Sequence, residues 1–227
     1  MIFEARLFNQ YDLWIDLTYS LIVSISCFLI YLKTKELYDL SQYKGINYFR
    51  NTFLFFGISE TIRLLLHLTA KFSAPLLPVR PELVFIFNAC SFLMIYASCM
   101  ALVYLLLSIF WKRMSNKSLG NVYLAHYISL IVAFVSLLKD RHPTFIIFQA
   151  GLFVLLIIVS YLNYKKSKHG ESFSNIYLIY LLIFILWIVS NVMEFIVIFS
   201  PITAFIIYFS SIIIFLLILI KVIERLK

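Results

Sequence analysis

The chain has 227 residues, 63% of them hydrophobic, 18% aromatic and only 13% charged, with a mean hydropathy of +0.98. Soluble domains are about 45–50% apolar and about 25% charged, so this balance excludes an ordinary soluble enzyme or binding domain and points to an integral membrane protein. The net charge of +8 would suggest nucleic-acid binding in a soluble chain. Here no basic stripe or soluble domain is present to carry it, and the Lys and Arg residues gather at helix ends, where topology and anionic headgroups account for them. The expected partner is the lipid bilayer, not nucleic acid.

The first residues, MIFEARLFNQYDLW, carry Glu4, Asp12 and Asp16 where a signal peptide needs a basic region and a clean apolar core, so cleavage is not expected. Seven apolar runs follow, approximately Leu13–Tyr31, Asn47–Ala70, Leu83–Phe110, Val122–Leu138, Thr144–Tyr161, Ile176–Phe199 and Pro201–Lys221. Each is near the ~20 residues that a helix needs to cross a hydrocarbon core, and none alternates as a barrel strand would. The expected fold is therefore a single all-α domain over residues 1–227, a bundle of seven transmembrane helices. Runs four and five are the shortest; read as a re-entrant pair they would leave five full spans with the chain ends still on opposite sides.

Orientation follows from the basic residues. The segments after runs one, three, five and seven hold Lys33, Lys35, Lys44, Arg50, Lys112, Arg113, Lys117, Lys165, Lys166, Lys168, Lys221, Arg225 and Lys227. The opposite side holds only Arg6, Lys71, Arg80, Lys139 and Arg141. This bias places the N-terminus outside and the C-terminus in the cytoplasm of a multi-pass cell-membrane protein. The link Lys71–Pro81 contains three prolines and cannot continue a helix, and Ser200-Pro201 reads as a helix restart with an N-cap and a proline at the first position. The stretch Lys33–Asn47 mixes charge with Leu37, Tyr38 and Leu40, as an interfacial extension of helix one would; a partner-docking surface is the other reading.

The second run carries the most informative side chains. Glu60 to Arg63 is i, i+3 and Arg63 to His67 is i, i+4, so the three share one helical face, which Gly57 extends. Ionisable groups in hydrocarbon are costly and usually face a bundle interior or a polar cavity. With the orientation above, Asp16, Asn88, Gln149 and Thr203 fall near the outer ends of their runs, and Asn191 and Glu194 in the outer half of run six. Asp16, Glu60, Arg63, His67, Asn191 and Glu194 are therefore the expected lining of an outward-facing pocket for a small ligand or cation. Three carboxylates would face one fixed cation, so either some acids are neutral or an exchangeable cation completes the set. The same residues also read as a static ion pair that fixes helix packing.

Enzyme chemistry finds little support. No HExxH, GxSxG or CxxC motif occurs. Of His67, His126, His142 and His169 only His67 lies deep on the outer side, so no metal and no cofactor is expected. Cys27, Cys90 and Cys99 read as small core hydrophobes. Lys221, the only lysine of run seven, sits at its far end, which excludes a retinal Schiff base.

The segment Leu37-Tyr-Asp-Leu-Ser-Gln-Tyr-Lys-Gly-Ile-Asn-Tyr-Phe-Arg-Asn-Thr-Phe-Leu-Phe-Phe-Gly57 resembles multi-pass sensor regions. There a tyrosine-bearing extension of helix one leads through a basic turn into an aromatic second helix. Such regions stand N-terminal to prokaryotic histidine kinases and also occur as stand-alone seven-helix proteins, many of them archaeal. The resemblance implies a sensor or receptor-like role without catalytic residues. Because the sequence ends at Lys227, signalling would pass to a separate cytoplasmic or membrane partner. A small cation- or proton-coupled transporter and a membrane-complex scaffold are the alternatives. Against the transporter, no inverted repeat or pair of broken helices is visible.

Overall fold

The computed structural model describes residues 10–73, 81–110, 118–138, 147–152, 154, 157–158 and 201–224. Five helices are complete enough to name: α1 (Gln10–Ser41), α2 (Lys44–Ser73), α3 (Pro81–Phe110), α4 (Ser118–Leu138) and α5 (Pro201–Glu224). Residues 147–152 are also helical. Runs one to four and run seven are thus helical, as hydropathy predicts, and run five is helical where described; run six, with Asn191 and Glu194, lies outside the described residues. Among the described residues three stretches, Leu17–Ser41, Lys44–Thr69 and Glu82–Ser108, are long and apolar enough to cross a membrane, and Val122–Leu137 and Tyr208–Ile220 are shorter apolar helical stretches.

Local chemistry sets the helix ends. Pro81 opens α3 and Pro201 opens α5, where the missing N–H costs nothing and φ is already helical. Helix α1 runs ten residues past Tyr31, to Ser41, so the charged stretch after run one is largely helix. Gln42 then takes a left-handed conformation, with φ 53°, and its N–H donates to the Tyr38 carbonyl at 2.7 Å, closing the helix. Only Gln42 and Tyr43 separate α1 from α2.

Helix α1 packs against α2 and α5, α2 against α3, and α3 against α4. Ser24 meets Thr61, and Gly57 lies against Cys27 and Phe28, so α1 and α2 are antiparallel. Ser59 bonded to Met94 and Tyr48 beside Tyr104 set α2 antiparallel to α3. Helix α5, by contrast, runs with α1. The Tyr208 ring lies 4.5 Å from Tyr19, and Phe215, seven residues later, lies 5.8 Å from Phe56, which is level with Phe28.

Small and hydroxylated residues share the interior with large apolar ones: Ser20, Ser24, Thr52, Ser59, Ala97 and Ala133 are buried beside Ile30, Met100, Leu105 and Ile218. Many other large apolar residues face outward, as in the α1 stripe Leu21, Ile25, Leu29 and Leu32. Within hydrocarbon, helices gain nothing from hiding leucine and associate through close packing of small residues. Several buried hydroxyls are satisfied within their own helix: Thr34 donates to Ile30 O at 2.7 Å, Thr52 to Tyr48 O at 3.2 Å and Ser91 to Phe87 O at 2.8 Å. Of the three cysteines, Cys27 and Cys99 are buried and Cys90 is partly so, and all are free thiols, in keeping with the core reading.

Helices α1 and α2 approach closely at Gly57. A Cβ there would stand 3.2 Å from the Cys27 Cβ and 3.4 Å from the Phe28 Cζ. Gly57→Ala requires a shift of a few tenths of an ångström and should lower the denaturation midpoint slightly, whereas Gly57→Val should cost ~1–3 kcal/mol by overpacking. Denaturant titration of the purified protein in detergent checks both. A Gly57→Val chain as stable as the parent would show that the seam has room.

Candidate functional site

The polar residues of α2 divide between two neighbours. On the α3 side, Ser59 donates to the Met94 carbonyl at 3.1 Å. On the α1 side, Ser24 and Thr61 share a hydroxyl hydrogen bond of 2.7 Å, and Thr61 donates to the Gly57 carbonyl at 2.8 Å. The missing side chain at Gly57 lets α1 approach closely enough for this seam to form. Oxygen atoms from two helices therefore meet at Thr61, the residue that follows Glu60.

Glu60 is buried, with 8% of its side chain exposed, and its Oε1 lies 3.7 Å from Nη1 of Arg63, whose side chain is 14% exposed. That separation is beyond hydrogen-bond range, so the contact is an ion pair held by charge. The i, i+3 spacing predicted it, because helix geometry alone brings the two together. His67 follows one turn later and is partly buried.

The antiparallel registers show what else shares this level. Asn88 of α3 lies level with the Arg63–His67 turn, given Ser59 opposite Met94 and Tyr48 beside Tyr104. Asp16 of α1 lies level with Thr69, two residues beyond His67, given Ser24 opposite Thr61; its side chain is outside the described set, as is that of Thr203. The structure thus joins Glu60 to Arg63, sets His67 one turn beyond, and brings the backbone of Asp16 near the level of His67. Asn191 and Glu194 lie outside the described residues.

Gln149 departs from expectation. Instead of lying level with Asn88 it donates from Nε2 to Ser98 Oγ at 2.7 Å, ten residues further along α3, or about 15 Å away along the helix axis. Gln149 is fully buried. A buried amide goes where a polar partner is, and Ser98 supplies it in the bundle interior.

One pair escapes a single-sequence reading altogether. The Tyr96 hydroxyl and His126 Nδ1 lie 2.6 Å apart across α3 and α4, with the rings stacked at 6.2 Å between centroids. Tyr96 packs against a cluster that includes Tyr48, Met100 and Tyr104. The only sequence signal was one histidine in an apolar run; its partner depends on the α3–α4 register, which hydropathy does not specify. Among the described residues no group of three or more His, Cys, Asp and Glu side chains could hold a metal ion.

No protein-family model matches the chain, and no solved structure matches it. An uncharacterised protein of the archaeon Archaeoglobus fulgidus is 30% identical over 178 residues, which cover 78% of this chain and 78% of that protein.

Removing one member of a buried ion pair strands the other charge. Arg63→Ala should therefore destabilise the protein by somewhat less than the ~3–5 kcal/mol of a fully buried pair, since Arg63 keeps 14% exposure. A double-mutant cycle with Glu60→Gln should give a coupling of about 0.5–3 kcal/mol. Strict additivity would mean that the two charges do not sense each other.

Proposed function

Because the chain belongs to one family with the Archaeoglobus fulgidus protein, a kinship that brings no activity with it, we propose a function from the site itself. The protein is a sensor- or receptor-like, multi-pass protein of the cell membrane that takes a small ligand or cation at the polar stripe of α2. It has seven spans, with the N-terminus outside and the C-terminus in the cytoplasm.

The observation that carries this reading is the buried Glu60–Arg63 pair, one turn from the close α1–α2 approach at Gly57 and flanking Thr61 of the Ser24–Thr61 bond. Buried ion pairs stabilise little compared with apolar packing of the same volume, so a pair kept at such a place is well suited to switching. A cation or a ligand amine arriving at Glu60 would compete with Arg63. The change would bear on the α1–α2 seam and travel along the hairpin to Lys33–Asn47, where a cytoplasmic or membrane partner would receive it. The parallel course of α1 and α5 supports the topology, because it requires an odd number of crossings between them; five further spans satisfy that condition. The excess of Lys and Arg on one side supports the orientation.

A second reading, a small cation- or proton-coupled transporter, draws on the oxygen donors near Glu60, which suit a hard cation. Ion-driven flux in liposomes would establish it.

Two measurements test the proposal. A ligand that binds only the folded state raises the thermal midpoint by mass action. Across a panel of cations and charged metabolites, the detergent-purified protein should show a selective rise that disappears in Glu60→Gln. An identical rise in Glu60→Gln would remove the site from α2. For topology, in a cysteine-free background, Lys71→Cys should react with an impermeant maleimide on intact cells and Lys168→Cys only after permeabilisation. The reverse pattern would invert the orientation.

A further inference from the structure

Arg50 sits at the opposite end of the α1–α2 hairpin from the Glu60 site. Its guanidinium carbon lies 5.0 Å from the centroid of the Tyr31 ring and 5.7 Å from that of Tyr38, both on α1. Nε is shut off from solvent and has no hydrogen-bond partner among the described residues. Nor does any carboxylate there come within ion-pair distance of Arg50; the described pairs are Lys33–Glu36 and Glu60–Arg63. Arginine stays charged in a protein, so this is a partly buried cation whose described contacts are aromatic rings. Two cation–π contacts offset part of the desolvation, with no counter-ion among the described residues.

A second cation adjoins it. Lys35 lies four residues after Tyr31 and three before Tyr38, on the same α1 face as the rings that hold Arg50. It is exposed and makes no ion pair with a described residue, whereas Lys33 is already matched by Glu36 at 3.3 Å. Tyr31, Tyr38, Tyr43 and Tyr48 crowd this end of the hairpin, the side-chain type that collects at the headgroup level of a bilayer. Two fixed cations on one face, an aromatic clamp and an interfacial position describe a receptor for a phosphate group.

We propose that the α1–α2 hairpin binds a phosphate group, as borne by an anionic lipid headgroup, between Arg50 and Lys35. The Tyr31 and Tyr38 rings hold the guanidinium in place, so its remaining N–H donors can grip two phosphate oxygens without first being ordered. Lys35 adds a point charge on the same face. A lipid bound there would brace the connection through which the α2 site acts. The site nevertheless stands without that reading, since none of its residues belongs to the Glu60 stripe.

The test uses the full chain in a neutral detergent, with native mass spectrometry and thermal denaturation as readouts. The probes are phosphatidylglycerol, phosphatidylcholine and inorganic phosphate. Phosphatidylglycerol should bind and raise the midpoint, and phosphatidylcholine should not. Arg50→Gln and Lys35→Gln should each weaken that binding about tenfold, the loss of a charge-assisted hydrogen bond. Lys33→Gln should leave it within about twofold, as for an exposed residue outside the site. Lys35 is exposed, so its variant keeps the fold and reports even if Arg50→Gln does not. Equal weakening by all three variants would overturn the site in favour of diffuse surface charge, and no weakening by Lys35→Gln would overturn it outright. The same midpoint rise with inorganic phosphate would support the phosphate site and assign it to a soluble phosphate, not a lipid.

Discussion

The close contact of α1 and α2 at Gly57 is the constraint on which the rest of the bundle depends. A side chain there would meet Cys27 and Phe28, and its absence lets Ser24 reach Thr61. That hydrogen bond, together with the hydroxyl-to-carbonyl bond within α2, lets oxygen atoms sit inside an apolar bundle without being stranded. Beside them Glu60 and Arg63 are withdrawn from solvent together. Moving α1 away would not simply open a gap. It would break the Ser24–Thr61 hydrogen bond at the residue that lies between the two ion-pair partners on α2.

How much of this was legible in the residues depends on whether one helix or two were involved. The Glu60–Arg63 contact follows from spacing on a single helix, and so it could be read directly. So could the small-residue role of Gly57. Tyr96–His126 and Gln149–Ser98 join different helices, and their existence depends on registers that hydropathy leaves open. Gln149 shows the consequence: counting from the end of a run put it level with Asn88, while its actual partner lies well inside the bundle. Helix ends fall between these cases. Hydropathy marks where a chain leaves hydrocarbon, not where it stops being helical. Helix α1 therefore continues from Tyr31 to Ser41 through a segment that is charged but still helix-forming, and stops only where Gln42 turns left-handed.

The parallel pairing of α1 with α5 has its own consequence. Helices close in sequence reach antiparallel partners through short links, as α1, α2, α3 and α4 do here. A parallel partner must come from further along the chain. Phe215 and Ile218 of α5 join Tyr19, Val23, Cys27 and Ile30 of α1 in one buried cluster with Phe53 of α2. The last described helix thus packs against both members of the first hairpin. It supports the far side of the seam, and Phe56 stacking on Phe215 lies next to Gly57 in the chain. A displacement of α1 relative to α2 would have to repack this cluster, which gives the seam two discrete arrangements more readily than a continuous range.

Helix α2 carries two arginines thirteen residues apart, about 20 Å along its axis, and the bundle treats them differently. Arg63 has 14% of its side chain exposed, and the chain provides a carboxylate one turn away. Arg50 lies near the hairpin end, and the chain provides rings instead. An aromatic clamp orients a guanidinium while leaving its charge available, whereas a carboxylate would quench it. The same side-chain type is therefore paired with a carboxylate of its own helix at one end of α2 and held against rings of α1 at the other. Both lie within one continuous helix, Lys44–Ser73, so the two arginines share a single element.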